Sequence, residues 1–216
     1  MLIPCAGTIA PSAISSKETT MNRRSAVFAI ASAALATVLT ACAPFGMDAS
    51  KTVVMFDGKS ISNWNQVGDA NWRVADGMIQ ADKGNGFLVT KESYGDFYMT
   101  AEFWSEADTN SGFFIRMSNP TTITASNSYE VNIFDKRPNQ AFGTGAIVGI
   151  AEVSPMPWAV GRWNTMEITA RGTQLQVSMN GARTVDVRDG KFARGPISLQ
   201  HGSGGIKFRN LLITPL

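Results

Sequence analysis

Three stretches of two-residue alternation constrain this chain more than any other feature: Tyr98 to Trp104, Gly112 to Met117 and Ser128 to Phe134. Apolar and polar residues that alternate over such lengths read as β-strands with one buried face. In the first, Met99, Ala101 and Phe103 point to one side, and Tyr98, Thr100, Glu102 and Trp104 to the other. In the second, Phe113, Ile115 and Met117 oppose Phe114 and Arg116. In the third, Tyr129, Val131 and Ile133 oppose Ser128, Glu130, Asn132 and Phe134. The rest of the chain follows suit. Asp76-Gly77 separates Trp72-Arg73-Val74 from Met78-Ile79-Gln80, and Asn180-Gly181 separates Gln174–Met179 from Thr184–Val187; both dipeptides are strong hairpin signals. No segment sustains a helical period. Roughly a dozen closely spaced strands predict an all-β, two-sheet sandwich or jelly roll. Its expected core is Met99, Ala101, Phe103, Phe113, Ile115, Val131, Ile133, Val177, Ile197, Leu199 and Phe208.

The N-terminal region has a different character. Met21-Asn22-Arg23-Arg24 is a short basic segment, and Ala26 to Leu39 is uncharged and rich in Ala and Val. That run is short for a span, which needs ~20 apolar residues. It ends in Leu39-Thr40-Ala41-Cys42, which resembles a bacterial lipobox with Cys42 as the lipidated residue. Residues 1–41 are therefore expected to be an upstream extension and signal peptide, with Met21 the better start. Residues 42–52 read as a tether and 53–216 as the folded domain. The expected location is the cell envelope, lipid-anchored, with Ala43 after the cysteine suggesting an outer membrane facing the periplasm. The chain holds 19 Lys and Arg against 17 Asp and Glu. Lys17, Glu18, Arg23 and Arg24 precede Cys42, so the remainder has equal numbers of each sign and gives no argument for nucleic acid. Cys5 and Cys42 are the only cysteines, which leaves the domain without a disulfide or a thiolate metal site.

On the non-core faces of the three central strands, carboxylates, an arginine and an amide are interleaved with aromatic rings. Rings stack on the C–H faces of a pyranose while polar groups bond its hydroxyls, so this composition suits a carbohydrate surface. A half-exposed sheet with scattered aromatics would show the same pattern. Glu102 and Arg116 could equally form a cross-strand ion pair.

A series of short motifs carries a family resemblance. Phe56-Asp57-Gly58-Lys59-Ser60 with Trp64, Trp72 to Gly77, Tyr94-Gly95-Asp96-Phe97 with Glu102-Phe103, and Asn110 to Arg116 come first. Tyr129-Glu130-Val131, Thr144-Gly145-Ala146, Trp163-Asn164, Asn180-Gly181, Gly195-Pro196-Ile197, Gln200-His201-Gly202 and Phe208-Arg209-Asn210 complete it. In order and number they resemble the bacterial 3-keto-glycoside lyase/hydratase family, also described as 3-keto-disaccharide hydrolases, over about residues 53–216. Asn132 stands where glutamine is usual, and Val148 where an aromatic is commoner. The resemblance implies a concanavalin A-like sandwich and net glycosidic cleavage of 3-keto-glycosides by 1,2-elimination, hydration or both. A 3-keto group acidifies the C2 proton; a base removes it, the C1 substituent leaves, and water adds back. Such a site needs proton-transfer groups and a donor for the enolate oxygen. Glu102, Glu130 and His201, the single histidine, are the expected proton-transfer groups, with Arg116 as oxyanion holder. Asn132 and Gln200 are expected to hold hydroxyls, and Trp104 or Phe114 to form a stacking floor. All should converge on one face, with Arg116 between the carboxylates. A divalent metal would suit an enolate, with Asp135 as one conceivable oxygen ligand. Trp158 could cover a substrate, with packing the more ordinary role. The alternative from another class is a non-catalytic glycan-binding lipoprotein on the same scaffold.

Overall fold

The computed structural model describes residues 48–216. The lipobox-like segment, Cys42 and the signal-peptide reading lie outside the described residues. Among those described, no helix is long and apolar enough to cross a membrane.

Thirteen strands follow one another: Val53–Val54 (β1), Trp64–Gly68 (β2), Arg73–Ala75 (β3), Met78–Ala81 (β4), Gly86–Thr90 (β5), Phe97–Ser105 (β6), Asn110–Ile115 (β7), Tyr129–Ile133 (β8), Trp163–Arg171 (β9), Gln174–Met179 (β10), Ala182–Arg188 (β11), Ser198–Ser203 (β12) and Ile206–Pro215 (β13). The larger sheet runs β11-β10-β9-β6-β13-β4-β3, with β1 also on β13. The smaller runs β2-β5-β12-β7-β8. All pairings are antiparallel. This is the all-β, jelly-roll sandwich that the alternation predicts. Both hairpin dipeptides sit in left-handed backbone, Asp76 and Gly77 at φ 52° and 71°, Asn180 and Gly181 at 51° and 80°. Two consecutive positive φ values make the type I′ turn, whose twist matches that of the strands.

The core lies between the sheets. Every residue of the expected list is buried there. The Phe113 ring from the smaller sheet meets Phe208 from the larger one edge-to-face, with centroids 5.5 Å apart. Cutting a ring of this kind back to alanine costs about 3–5 kcal/mol.

The topology places β6 and β7 in different sheets, although only a short turn joins them. The non-core faces of these two strands therefore look outward on opposite sides of the molecule. Beyond β8 the chain returns along that strand's free edge. Asn132 N–H donates to the Ala146 carbonyl at 3.0 Å, Gly145 N–H to the Asn132 carbonyl at 2.9 Å, and Val148 N–H to the Glu130 carbonyl at 2.9 Å. This segment covers the edge that β8 would otherwise expose, a common way to blunt a sheet edge.

Candidate functional site

The outer face of the smaller sheet is built in two rows. Val67, Phe87, Gln200, Gly112 and Asn132 lie in register across β2, β5, β12, β7 and β8. One step along, Asn65, Val89, Ser198, Phe114 and Glu130 form the second row. At one side Val67, Phe87, Val89 and Phe114 join Met117 and Ile123 in a small apolar cluster, separate from the main core. Phe87 meets Phe114 edge-to-face at 5.2 Å. At the other side Gly112, which has no side chain, stands between Gln200 and Asn132. Only glycine fits there, because a Cβ would lie 2.8 Å from the Val131 carbonyl oxygen.

Three of the five buried side-chain polar atoms without partners among the described residues lie around Gly112. Asn132 Oδ1, Gln200 Oε1 and Ser198 Oγ are buried and have no hydrogen-bond partner among the described residues. Leaving such groups unpaired costs about 1–3 kcal/mol each, and atoms of this kind call for an explanation such as a ligand or ordered water. Asn132 is held in place because its Nδ2 donates to the Phe142 carbonyl at 2.7 Å. Glu130 stands in the adjacent row. It is 9% exposed, and among the described residues its side chain makes neither a hydrogen bond nor an ion pair. Burial pushes its carboxyl above the usual range, with the charge of Arg137 working weakly the other way. A buried carboxyl with a raised pKa, beside unpaired acceptors, has the character of a proton-transfer group. A groove of about 620 Å³ lies instead on the opposite, larger sheet. It is the unpartnered polar atoms, not volume, that locate this site.

Four of the expected site residues are thus together: Glu130, Asn132, Gln200 and Phe114. Phe114 lies within the apolar cluster and is 2% exposed, so its ring offers no free stacking surface as it stands. The other four are elsewhere. Glu102 is on the outer face of the larger sheet, where it accepts from Arg209 Nε at 2.6 Å and Asn210 Nδ2 at 2.9 Å. Trp104 is on that same outer face, with the Lys207 ammonium 4.8 Å from its ring centroid. The convergence of Glu102 with Glu130 fails because β6 and β7 part into different sheets.

Arg116 does not continue the face of β7. The strand ends at Ile115, and Arg116 takes a left-handed φ of 53°, which turns its side chain away. The guanidinium is fully buried. It donates to the Gly95, Gly172 and Phe192 carbonyls at 3.0, 2.8 and 3.3 Å, and to Asp96 Oδ1 at 3.0 Å. It ties three loops together and lies between no pair of carboxylates. The cross-strand pair with Glu102 is also absent, since Arg209 fills that role.

His201 alternates with Gln200 and so faces inward, just before a register shift in β12. It is buried against the edge of Trp72, with ring centroids 6.3 Å apart. Nδ1 lies 2.9 Å from the Gly84 carbonyl oxygen and Nε2 2.8 Å from that of Gly204. Both nitrogens are committed to turns, so neither faces the unpaired atoms around Gly112.

Asp135 is a staple. Its carboxylate accepts from Thr144 Oγ1 at 2.5 Å and from Ala159 and Val160 N–H at 2.7 and 3.1 Å, which leaves little for a cation. Among the described residues no three His, Cys, Asp or Glu side chains are grouped as a metal site would need. Trp158, for which packing was the ordinary expectation, is instead 60% exposed. Ser198 is the site residue that sequence reading missed. Alternation with Ile197 and Leu199 places it outward, but a lone serine carries no chemical signal.

Comparison with known proteins bears on the family and the fold. The sequence of residues 51–214 matches the family model of the 3-keto-alpha-glucoside-1,2-lyase-like domain. No curated protein matches the sequence. Among solved structures, two candidate glycosyl hydrolases from Parabacteroides distasonis superpose with TM-scores of 0.71 and 0.66. They are 18% and 26% identical, over 78% and 77% of this chain and 95% and 100% of theirs. A family 66 carbohydrate-binding module from Bacillus subtilis superposes at 0.55, with 19% identity over 69% of this chain and 93% of its own. The strand order, the motif series and the family match converge: the chain belongs to the 3-keto-alpha-glucoside-1,2-lyase-like domain family, on a lectin-like β-sandwich.

Proposed function

We propose that the outer face of the smaller sheet cleaves 3-keto-glycosides by 1,2-elimination, followed by hydration, with Glu130 as the proton-transfer group. The observation that carries this reading is the isolation of Glu130 beside the unpaired oxygens of Asn132, Gln200 and Ser198. A carboxylate that is poorly solvated and unpaired is a stronger base than one in water. In the proposed step Glu130 takes the C2 proton and the C2–H electrons pass onto the C3 oxygen as an enolate, then return to form the C1–C2 double bond. The C1–O bond breaks, and the leaving oxygen recovers the proton from Glu130. The Gln200 amide nitrogen and the Ser198 hydroxyl can donate to the oxygen at C3 as its charge grows. The Asn132 and Gln200 oxygens accept from sugar hydroxyls, and the absence of a side chain at Gly112 lets the ring approach the sheet. Arg116 and His201 support the scaffold in this scheme.

The test is turnover of a 3-keto-disaccharide against its unoxidised parent. Only the oxidised sugar has an acidic C2 proton, so only it should react, and solvent deuterium should enter at C2 during hydration. Equal cleavage of both would point to an ordinary glycosidase. Sugar binding without turnover of either would favour the glycan-binding alternative, which the lectin-like fold accommodates. Lipid anchoring is proposed on Leu39-Thr40-Ala41-Cys42 alone. Cys42→Ala should move the protein from the membrane to the soluble envelope fraction, and unchanged fractionation would refute it.

A further inference from the structure

The larger sheet carries a built groove that the chemistry proposed above does not use. It has a volume of about 620 Å³ and is lined by side chains from β6, β9, β10 and β11. Three cross-strand rows make its floor. Arg171 lies beside Gln174; Tyr98, Thr169 and Gln176 are in register; and Glu167, Ser178 and Arg183 form the third row. Their polar atoms are already oriented. Tyr98 Oη donates to Glu167 Oε1 at 2.7 Å. Gln174 and Gln176 donate their amide nitrogens to Asp186, at 3.1 and 2.7 Å, which leaves both amide oxygens as acceptors. Arg171 and Arg183 close the groove at opposite ends. Neither guanidinium makes a hydrogen bond or an ion pair among the described residues. The arrangement is an amide or carboxylate acceptor in each of the three rows, a guanidinium donor in each end row and a tyrosine ring at the side.

We infer that this groove is a second carbohydrate site, one that takes a neutral oligosaccharide lying along β9 and β10. Sugar hydroxyls both donate and accept, so they match a floor of amide and carboxylate oxygens bracketed by guanidinium donors. The tyrosine ring offers a pyranose C–H face a partner. The ligand is neutral because the cations of Arg171 and Arg183 are set against Glu167 in the groove and Asp186 beside it. Four residues separate the end rows, a span of ~13 Å at strand rise, enough for about two to three pyranose rings. No reacting group is needed here, and none stands unpaired and buried as Glu130 does. The site would hold a glycan chain while the opposite face works on its own substrate, and it stands whether or not that face is catalytic.

Backbone-amide NMR titration of the domain with cellotriose, maltotriose and laminaritriose tests this, since none carries a 3-keto group. At least one should shift the resonances of β9, β10 and β11. Gln176→Ala and Arg183→Ala should each weaken that binding by ~10-fold, about the worth of one good hydrogen bond. Both residues are at the surface, and an unchanged thermal midpoint would confirm that the variants fold. Glu130→Gln should leave the binding as it was. The inference fails if none of the three sugars shifts these strands, if shifts are confined to the smaller sheet, or if neither variant weakens binding.

Discussion

Glu102 and Glu130 lie on opposite outer faces of one sandwich, and their surroundings could hardly differ more. Glu102 is held by Arg209 and Asn210, and Arg209 in turn stacks on Trp163 with its guanidinium carbon 3.8 Å from the ring centroid. Those hydrogen bonds and that charge hold the Glu102 carboxyl below the usual range, against a desolvation that alone would raise it. Glu130 has no such partner, and burial drives it the other way. The same residue type is a satisfied surface anion in one place and an unpartnered, poorly solvated acid in the other. What separates them is the number of donors within reach rather than the strand pattern around them.

The sharpest way to break this comparison is at Glu130 itself. Glu130→Gln should reduce turnover of a 3-keto-disaccharide by about 10²–10⁴-fold, measured in single turnover, while Glu102→Gln leaves it within about twofold. Equal losses from the two would end the assignment. The same Glu130→Gln variant should gain stability at neutral pH. Its carboxyl binds a proton more tightly when folded than when unfolded, so it favours folding below the ordinary glutamate range. That contribution is lost as pH rises through the raised range. Thermal midpoints across that window should fall with pH in the parent and flatten in the variant.

Next in size is Arg116. Arg116→Met should cost about 3–5 kcal/mol in denaturant unfolding, because it strips the Gly95, Gly172 and Phe192 carbonyls of a buried donor. If instead the variant folded normally and lost turnover, Arg116 would belong to the chemistry after all. Gly112→Val should cost about 1–3 kcal/mol from the close approach of Val131 and should block sugar binding at the smaller sheet. The smallest effect is expected on the larger sheet. Arg209→Ala removes a half-exposed ion pair worth about 0–1 kcal/mol and should leave turnover alone.

How much of this was legible in the sequence divides along the same line. Alternation within Tyr98–Trp104 and Ser128–Phe134 set which residues face the core, and the hairpin dipeptides marked both type I′ turns. The motif series led to the family. What period two cannot report is which sheet a strand joins. Glu102 and Glu130 therefore looked like neighbours while standing on opposite faces. Arg116 shows a second limit: a single left-handed residue at a strand end re-aims a side chain, and nothing in Phe114-Ile115-Arg116-Met117 announces it. His201 shows a third, since alternation did place it inward, opposite to Gln200. Grouping the single histidine with Gln200 as a site residue overlooked that parity. Asn132 was found by its place on the non-core face of β8 and Gln200 through the motif series, whereas Ser198 is too ordinary to stand out.

The Asn132 side chain has one further consequence. Its amide is a single conjugated unit, with the oxygen unpartnered among the described residues and the nitrogen fastened to the Phe142 carbonyl. A donor that engages the oxygen draws charge through the amide and strengthens the hydrogen bond that its nitrogen donates on the far side. Whatever binds that oxygen should thus also be felt at residues 139–146, as slower amide exchange there. By reciprocity, anything that loosens this turn should weaken the ligand by the same factor. The asparagine acts as a two-ended relay, joining occupancy of the sheet face to the stiffness of the segment that guards its edge.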